Sequence, residues 1–271
     1  MEAARWSSRR ERALYWLVDA AFAEPFAALG WPDRDAVAGA LRAASASGRT
    51  ATAILALPGR SERIHLRPVR HGGLFAPVWH GAIWGVARPV AELRANARLH
   101  VAGAPVPRPV LVAAHRAGGP LWSAVVGTVH VEGARDGLAW LSARPARSEL
   151  LRGARAAGAA IRRFHDAGGS HADLQIKNLL LRARGGETDV LVIDLDRARA
   201  DRPPSPARRM RELMRLVRAL HKRGIAEQVG ARGCAAGFSA YCAGDRALRR
   251  ALLAHLPRER RRLARHGWLY R

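Results

Sequence analysis

Three oxygen-bearing side chains with a fixed spacing constrain the fold of this chain more than any other sequence feature. Asp173 lies five residues before Asn178. Two apolar runs, over residues 178–182 and 189–193, are separated by a Gly-Gly turn and predict a β-hairpin. Asp194 follows the second run directly. The loop, the Asn and the strand-end Asp are therefore expected to lie in register.

These side chains suit the transfer of a phosphoryl group. That reaction needs metal ions on the phosphates and a group that orients the attacking hydroxyl. The protein-kinase catalytic loop has the same spacing: a base Asp, a metal-binding Asn five residues later, and a second metal-binding Asp on the next hairpin. By this interpretation Asp173 orients the acceptor proton, while Asn178 and Asp194 hold Mg²⁺ against ATP phosphates. The alternative is structural, because Asp is also common in turns and helix caps.

Other polar residues near the loop leave alternatives open. Lys177 could contact the transferred phosphate, or it could be a solvated loop lysine. Asp194 and Asp196 could both reach a metal, and Asp194 is the favoured ligand. His165 and His171 are predicted to orient the loop rather than to act as catalysts. The sequence signatures of zinc proteases, serine hydrolases and P-loop nucleotide-binding proteins do not occur.

The positive charge of the chain comes almost entirely from arginine. Lys and Arg number 46 against 22 Asp and Glu, a formal net charge of +24, and only Lys177 and Lys222 are lysines. One interpretation is a solvated basic surface. The other is an anionic partner, and a phosphate-rich membrane surface is favoured over nucleic acid. The arginines are scattered, and no known nucleic-acid-binding motif accompanies them.

The cysteines and the apolar stretches bear on compartment. Cys234 and Cys242 fall in one predicted helix, where eight residues span about 12 Å, too far for a disulfide. Unpaired cysteines fit a reducing cytoplasm. No stretch reaches the roughly 20 apolar residues that a spanning helix needs. We expect a soluble or membrane-peripheral protein.

Periodicity divides the chain into three parts. Residues 1–46 predict a helical extension with an amphipathic helix over 8–29, which could pack in the core or lie on an anionic membrane. Residues 47–134 predict a small α+β lobe, and residues 135–271 predict a mainly helical lobe that ends in three helical pieces. The other predicted elements are a helix over 33–44, strands over 52–57 and 63–67, a helix over 86–101, strands over 110–112 and 122–131, and a helix over 148–168.

Several segments resemble the lipopolysaccharide kinases, and within them the kinases of 3-deoxy-D-manno-octulosonic acid (Kdo). The resemblance runs from about Gly48 to Lys222. It is carried by Leu66-Arg67, Arg70, Gly72-Gly73, Arg88 with Glu92, Pro105-Val106-Pro107-Arg108-Pro109, Glu132-Gly133-Ala134, Phe164-His165-Asp166-Ala167-Gly168, His171-Ala172-Asp173-Leu174, Asn178-Leu179-Leu180-Leu181 and Ile193-Asp194-Leu195-Asp196-Arg197.

The resemblance implies an α+β, two-lobed protein-kinase-like fold with a small β-rich N-lobe and a mainly helical C-lobe. It implies ATP and Mg²⁺ as cofactors. The implied acceptor is a sugar hydroxyl of the lipopolysaccharide inner core, Kdo on lipid A, at the cytoplasmic face of the inner membrane. Such a protein would be a phosphotransferase with an alcohol group as acceptor.

The resemblance also implies residue roles on the nucleotide side. Glu92 would face a cation on the third strand, and Arg67 would take the place of the usual lysine beside the ATP phosphates. The phosphate-binding glycine loop is reduced to a segment that begins at Gly48. Two alternatives stay open: a kinase of another small molecule or of protein, and a catalytically inactive kinase-fold binding scaffold. The complete metal-ligand set favours an enzyme, whereas the reduced glycine loop favours a scaffold.

Overall fold

The computed structural model describes residues 5–45, 53–69 and 82–268 of the 271-residue chain. The chain forms two compact units. The first comprises Met1–Val101 and Pro107–Val131, and the second comprises Ala102–Val106 and Glu132–Arg271. The first is rich in β-strands and the second is mainly helical, which confirms the predicted α+β class.

The first unit is built on one antiparallel sheet. Its strands lie in the order β1-β2-β6-β7-β4-β3, and β5 pairs with the end of β7. In chain order the elements are β1 (Trp6–Arg10), β2 (Leu14–Asp19), α1 (Ala20–Ala27), α2 (Arg34–Ser45), β3 (Ala53–Ala56), β4 (Arg63–Val69), β5 (Ile83–Trp84), α3 (Ala87–Val101), β6 (Pro109–Gly118) and β7 (Leu121–Val129). The strands predicted around residues 52–67 and 110–131 and the helix predicted over 86–101 are confirmed.

Both faces of this sheet are covered by helices. Successive side chains of a strand point to opposite faces, so neighbouring residues of one strand pack against different helices. On one face Trp16 and Val18 pack against Phe22 and Phe26 of α1. On the other face the alternate residues of the same strands pack against α3. Continuous apolar runs such as 110–114 follow from this two-sided burial.

The amphipathic helix predicted over residues 8–29 is wrong for most of its length. The segment forms the hairpin β1–β2 and then the short helix α1, which Asp19 caps through a hydrogen bond from the backbone N–H of Ala21 at 3.1 Å. Strand β2 pairs with β6, so the hairpin extends the sheet of the first unit instead of forming a helical extension. The apolar run at residues 14–18 satisfies either periodicity, and the β6 edge decides between them.

The second unit surrounds a long helix. Its elements are β8 (Arg135–Asp136), α4 (Gly137–Ser142), α5 (Arg147–Asp166), β9 (Gly169–Ser170), β10 (Leu179–Arg184), β11 (Glu187–Val192), β12 (Arg199–Ala200), α6 (Pro206–Lys222), α7 (Ala226–Cys242), α8 (Arg246–Leu253) and α9 (Leu256–Trp268). Between residues 206 and 268 the structure describes four helices instead of the predicted three pieces. Helices α5 and α7 approach closely: a Cβ placed at Gly158 would lie 2.0 Å from the carbonyl oxygen of Gly237.

Two smaller features concern the predictions on compartment. Cys234 and Cys242 both lie in α7 and are free thiols, as predicted. Among the residues that the structure describes, no helix has the length and apolar character needed to cross a membrane.

Candidate functional site

Asp173 lies in the loop between β9 and a 3₁₀ turn at Ile176–Asn178. The Asp173 side chain is exposed, whereas the next residue, Leu174, is completely buried and anchors the loop in the core. The loop thus presents a carboxylate to solvent from a fixed backbone. Asn178 ends the 3₁₀ turn and is itself buried.

His171 connects this loop to the strand that carries Asp194. Its Nδ1 accepts a hydrogen bond from the backbone N–H of Asp173 at 3.1 Å. The ring proton therefore resides on Nε2, which donates to the carbonyl oxygen of Ile193 at 3.0 Å. The imidazole is completely buried, so this is an orienting residue, as its sequence position predicts.

The backbone of Ile193 is held on both sides. Its N–H donates to the carbonyl oxygen of Asn178 at 2.9 Å, while its own carbonyl accepts from His171. Strands β10 and β11 bring these residues together through a regular antiparallel register that pairs Leu179 with Val192. Asp194 directly follows and has φ of 58°, an uncommon backbone conformation for a residue other than glycine. Such conformations concentrate at functional sites.

The side-chain oxygens of Asn178 and Asp194 are suitable ligands for a magnesium ion. The side-chain nitrogen of Asn178 donates to the carbonyl oxygen of Asp173 at 2.8 Å, so its Oδ1 is the atom that can face a cation. Asp194 offers an exposed carboxylate. Mg²⁺ in phosphoryl-transfer sites binds one or two protein oxygens and completes its shell with phosphates and water. Within the described ranges there is no group of three or more His, Cys, Asp or Glu side chains that could hold a metal ion.

Gln175 is a site residue that sequence reasoning missed. Its Nε2 lies 2.7 Å from each carboxylate oxygen of Asp173 and donates to that carboxylate. The only signal in the sequence is an amide two residues after the Asp. Lys177 is exposed on the 3₁₀ turn, and its contact with a phosphate stays a prediction.

A buried polar cluster supports the loop from behind. Glu212 of α6 accepts a hydrogen bond from the backbone N–H of His171 at 2.8 Å. The same carboxylate oxygen lies 3.1 Å from Nε2 of His165, and the other accepts from Nε of Arg208 at 3.2 Å. Burial acts to raise the pKa of Glu212, but these three donors outweigh it and leave that pKa below its ordinary value. Glu212 is therefore a buried carboxylate that stays ionised.

His165 connects Glu212 to helix α7 through hydrogen bonds. Its Nδ1 lies 2.7 Å from the hydroxyl of Tyr241, and burial lowers the pKa of His165 below its ordinary value of 6.5. The ring is therefore neutral near pH 7, donates from Nε2 to Glu212 and accepts from the Tyr241 hydroxyl. Burial raises the pKa of Tyr241 to about 12, so the phenol keeps its proton. Arg209 closes the cluster through a 2.7 Å ion pair with Asp166.

In the first unit, the structure brings Arg67 and Glu92 together. Arg67 lies on β4 and Glu92 on α3, and Nη2 of the arginine forms an ion pair with Oε1 of the glutamate. Glu92 is buried at 8% exposure, whereas Arg67 keeps 29% of its side chain accessible. The guanidinium is thus oriented by a buried carboxylate. Gly48, the third residue predicted on the nucleotide side, lies outside the described residues.

The second unit also contains an apolar cavity of about 340 Å³. It is surrounded by α4 to α9, and its walls are almost entirely aliphatic or aromatic. Representative lining residues are Trp140, Ala157, Ile161, Met214 and Phe238.

Comparison with known proteins identifies the family of the chain. Residues 47–235 match the family model described as "Lipopolysaccharide kinase (Kdo/WaaP) family". A 3-deoxy-D-manno-octulosonic acid kinase of Vibrio cholerae serotype O1 is 32% identical over 157 residues, which cover 56% of this chain and 63% of that protein. One of Stenotrophomonas maltophilia (strain R551-3) is 36% identical over 163 residues, 58% of this chain and 61% of that protein. The chain thus spans less than two thirds of the length of these relatives.

A solved structure supports the fold. WaaP in complex with acyl carrier protein is similar with a TM-score of 0.53 at 20% identity, covering 79% of this chain and 83% of that one. This similarity confirms the predicted kinase-like fold. Since the family model matches well over half of its residues, the chain belongs to the lipopolysaccharide kinase (Kdo/WaaP) family.

Proposed function

We propose that the protein transfers the γ-phosphate of ATP to a sugar hydroxyl of the lipopolysaccharide inner core, with Kdo on a lipid A precursor as acceptor. The observation that carries this proposal is the Ile193 backbone, which is bonded to Asn178 on one side and to His171 on the other. It holds Asp194 next to the loop of Asp173. Family membership and the Kdo kinases among the relatives support the acceptor class.

Each residue of the candidate site has its own proposed role in the reaction. Asp173, oriented by Gln175, accepts a hydrogen bond from the acceptor hydroxyl and takes its proton as the oxygen attacks the γ-phosphorus and ADP leaves. Asn178 and Asp194 would hold Mg²⁺, which when bound neutralises charge that develops on the transferring phosphoryl group. Arg67, oriented by Glu92, would bind phosphate oxygens of ATP. Lys177 and the segment at Gly48 are further proposed phosphate contacts.

The acceptor places the reaction at a membrane. A lipid A precursor is an anionic glycolipid, and a formal charge of +24 favours an anionic bilayer. We therefore propose a peripheral protein on the cytoplasmic face of the inner membrane. Nucleic acid is a disfavoured partner.

The decisive test is an acceptor assay with purified full-length protein, ATP, MgCl₂ and Kdo-lipid A. Mass spectrometry should show the addition of one phosphate, and EDTA should abolish it. Asp173→Asn and Asp194→Asn should each lower kcat by at least about a hundredfold at unchanged melting temperature. No phosphorylated glycolipid from the wild type, or equal product from Asp173→Asn, would overturn the proposal.

Two rivals give different results in the same experiment. A kinase of another acceptor would leave Kdo-lipid A unmodified but would phosphorylate a different member of a panel of sugars, small alcohols and peptides. An inactive scaffold would phosphorylate none of them. Its melting temperature also need not rise with Mg-ATP, whereas an active kinase should be stabilised by the nucleotide.

The apolar cavity of the second unit is the basis for proposing a second binding partner. WaaP has been solved with acyl carrier protein, and the cavity of about 340 Å³ in this chain is suited to an apolar chain. We propose that it accepts the acyl group of an acyl carrier protein. Acyl-loaded carrier should bind more tightly than the unacylated carrier in calorimetry, and Ala157→Trp, which fills the cavity, should remove that difference. Equal affinity for the two carrier forms would contradict this proposal.

A further inference from the structure

One end of the sheet in the first unit forms a basic rim. We define the rim as the end of β1 with the turn to β2 (residues 9–13), the adjoining ends of β6 and β7 with their turn (residues 116–122), and strand β5. The register places these elements side by side, because Leu14 pairs with His115, Arg116 with Trp122, and Trp122 with Ile83. The five neighbouring strands β1, β2, β6, β7 and β5, at about 4.8 Å spacing, make the rim about 19 Å wide.

Arg116 fixes the two turns of the rim to each other. Its backbone N–H donates to the carbonyl oxygen of Ala13 at 2.9 Å, and its Nε donates to that of Arg12 at 3.0 Å. Another guanidinium nitrogen donates to the carbonyl oxygen of Gly119 across the second turn. Its Cζ also lies 5.1 Å from the centre of the Trp122 ring. The rim is thus a preformed surface.

Trp84 projects from the edge of this rim. It pairs with Leu121 through the backbone, and 68% of its surface is exposed. Among the described residues it is the most exposed of the large hydrophobic side chains. An indole usually buries its apolar body and keeps only its N–H at the solvent. An interfacial environment, apolar on one side and wet on the other, satisfies both requirements.

The charge on the rim is predominantly positive. Arg9, Arg10 and Arg12 are all exposed, and the one carboxylate between them, Glu11, pairs with Arg9 at 2.6 Å. Arg10 and Arg12 therefore contribute two positive charges that this carboxylate does not neutralise.

A depression of about 500 Å³ adjoins the rim. Its cationic lining is Arg9, Arg34 and Arg116, with His115, and its acidic residues are Glu11 and Asp33. Asp33 is already engaged, since it accepts hydrogen bonds from the first backbone N–H groups of α2. The depression thus has three arginines against two carboxylates.

We propose that the rim is the surface by which the protein docks on an anionic phospholipid bilayer. Trp84 would enter the headgroup layer, while Arg10 and Arg12 would face lipid phosphates. This inference rests on the proposed function only in its choice of a bilayer, because a glycolipid acceptor lies in one. A nucleic acid is the competing anionic partner, since exposed aromatic and arginine side chains also stack on bases.

The test uses full-length protein and sedimentation with vesicles, without nucleotide or acceptor. Vesicles that contain phosphatidylglycerol should bind the wild type, and vesicles of phosphatidylcholine alone should not. Trp84→Ser and the double variant Arg10→Glu/Arg12→Glu should each weaken binding at least about tenfold. A matched control is Arg246→Glu/Arg249→Glu, which reverses two exposed arginines on α8 of the second unit and should change binding less than about twofold.

Three results would overturn the docking proposal. The rim variants could bind like the wild type, the α8 control could lose binding equally, or the wild type could bind an oligonucleotide but not the vesicles. A soluble, deacylated Kdo acceptor separates this inference from the proposed function. The rim variants should phosphorylate it at the wild-type rate, and a wild type inactive on it that still binds vesicles through the rim would refute only the proposed function.

Discussion

The carboxylate of Glu212 accepts a hydrogen bond from the backbone N–H of His171, with an N···O distance of 2.8 Å. The contact joins helix α6 to the loop that presents Asp173, and His165 extends it to Tyr241 on α7. The position of the proposed base is thus set by a helix 41 residues further along the chain.

Glu212→Ala should destabilise the protein and slow it. The change leaves a buried backbone N–H and the buried His165 ring without their acceptor, which we expect to lower the free energy of unfolding by about 2–3 kcal/mol. Urea unfolding measures the loss, and kcat for the Kdo acceptor should fall in parallel. Glu212→Gln retains an acceptor oxygen, so its stability and its kcat should lie between those of the wild type and of Glu212→Ala. An alanine variant as stable as the wild type would contradict the anchoring role.

His171→Ala should affect catalysis more than acceptor binding. Without the imidazole, the loop of Asp173 and the backbone of Ile193 lose their common link, and displacement of about 1 Å can cost roughly a hundredfold in rate. We expect kcat to fall 10- to 100-fold and KM for the acceptor to stay within about twofold. The exposed His221→Ala serves as control and should behave like the wild type. A change confined to KM would argue against this role.

Gln175 provides a test of how Asp173 is oriented. Gln175→Ala removes the donor to both carboxylate oxygens and should lower kcat about tenfold. Gln175→Glu places a second carboxylate in the same position and should lower kcat further through repulsion. Steady-state kinetics at saturating ATP measures both. If the glutamate variant is the more active of the two, the side chain does not act through Asp173.

Arg67 should act on the nucleotide rather than on the acceptor. Arg67→Ala should raise KM for ATP at least about tenfold, because it removes a charged phosphate donor and leaves buried Glu92 without this ion pair. Arg67→Lys keeps the charge but not the planar fork and should give a smaller increase. Arg94→Ala, an exposed change on the same helix, is the control. An unchanged KM for ATP in Arg67→Ala would refute the predicted role.

Stability should decline as the pH falls below neutral. Burial, followed by the charges of His130 and Arg67, lowers the pKa of His65 from 6.5 to about 4. The unfolded chain therefore binds a proton that the folded chain excludes, and the free energy of unfolding falls as pH decreases through this interval. One such histidine contributes a slope of at most about 1.4 kcal/mol per pH unit.

Urea titrations between pH 7 and pH 4 test this expectation. In His65→Gln the free energy of unfolding should depend less steeply on pH than in the wild type. The reduction should correspond to the loss of nearly one bound proton in the unfolded chain. The lowered pKa of His165 adds a contribution of the same sign, so the variant should retain part of the dependence. A variant that follows the wild-type curve would show that His65 does not set the slope.

The parts of the site that depend on local sequence were predictable. Asn178 and Asp194 both lie at the open end of one hairpin, whose apolar strands and Gly-Gly turn are local signals. Helix α3 and its Glu92 follow in the same way from periodicity. The α+β class needed only the division of the chain into strand-rich and helix-rich parts.

The elements that were missed depend on distant partners. The residues Leu14-Tyr15-Trp16-Leu17-Val18 are apolar throughout, and only pairing with β6, almost a hundred residues away, makes them a strand. In the sequence, Glu212 and Tyr241 are indistinguishable from ordinary helix residues, because their hydrogen-bond partners lie 41 and 76 positions away. Contacts of this kind have no local sequence signature.

Strand β1 has a consequence for how the molecule behaves at high concentration. Its residues after Trp6 are Ser7, Ser8, Arg9 and Arg10, all exposed, and this strand forms the outer edge of the sheet. An open edge invites other chains to add strands, and charged side chains oppose that addition. A version of the protein that starts after Asp19 would instead leave β6 as the edge, with its buried run Val110–Ala114 next to the open backbone. The hairpin thus also protects the protein against self-association.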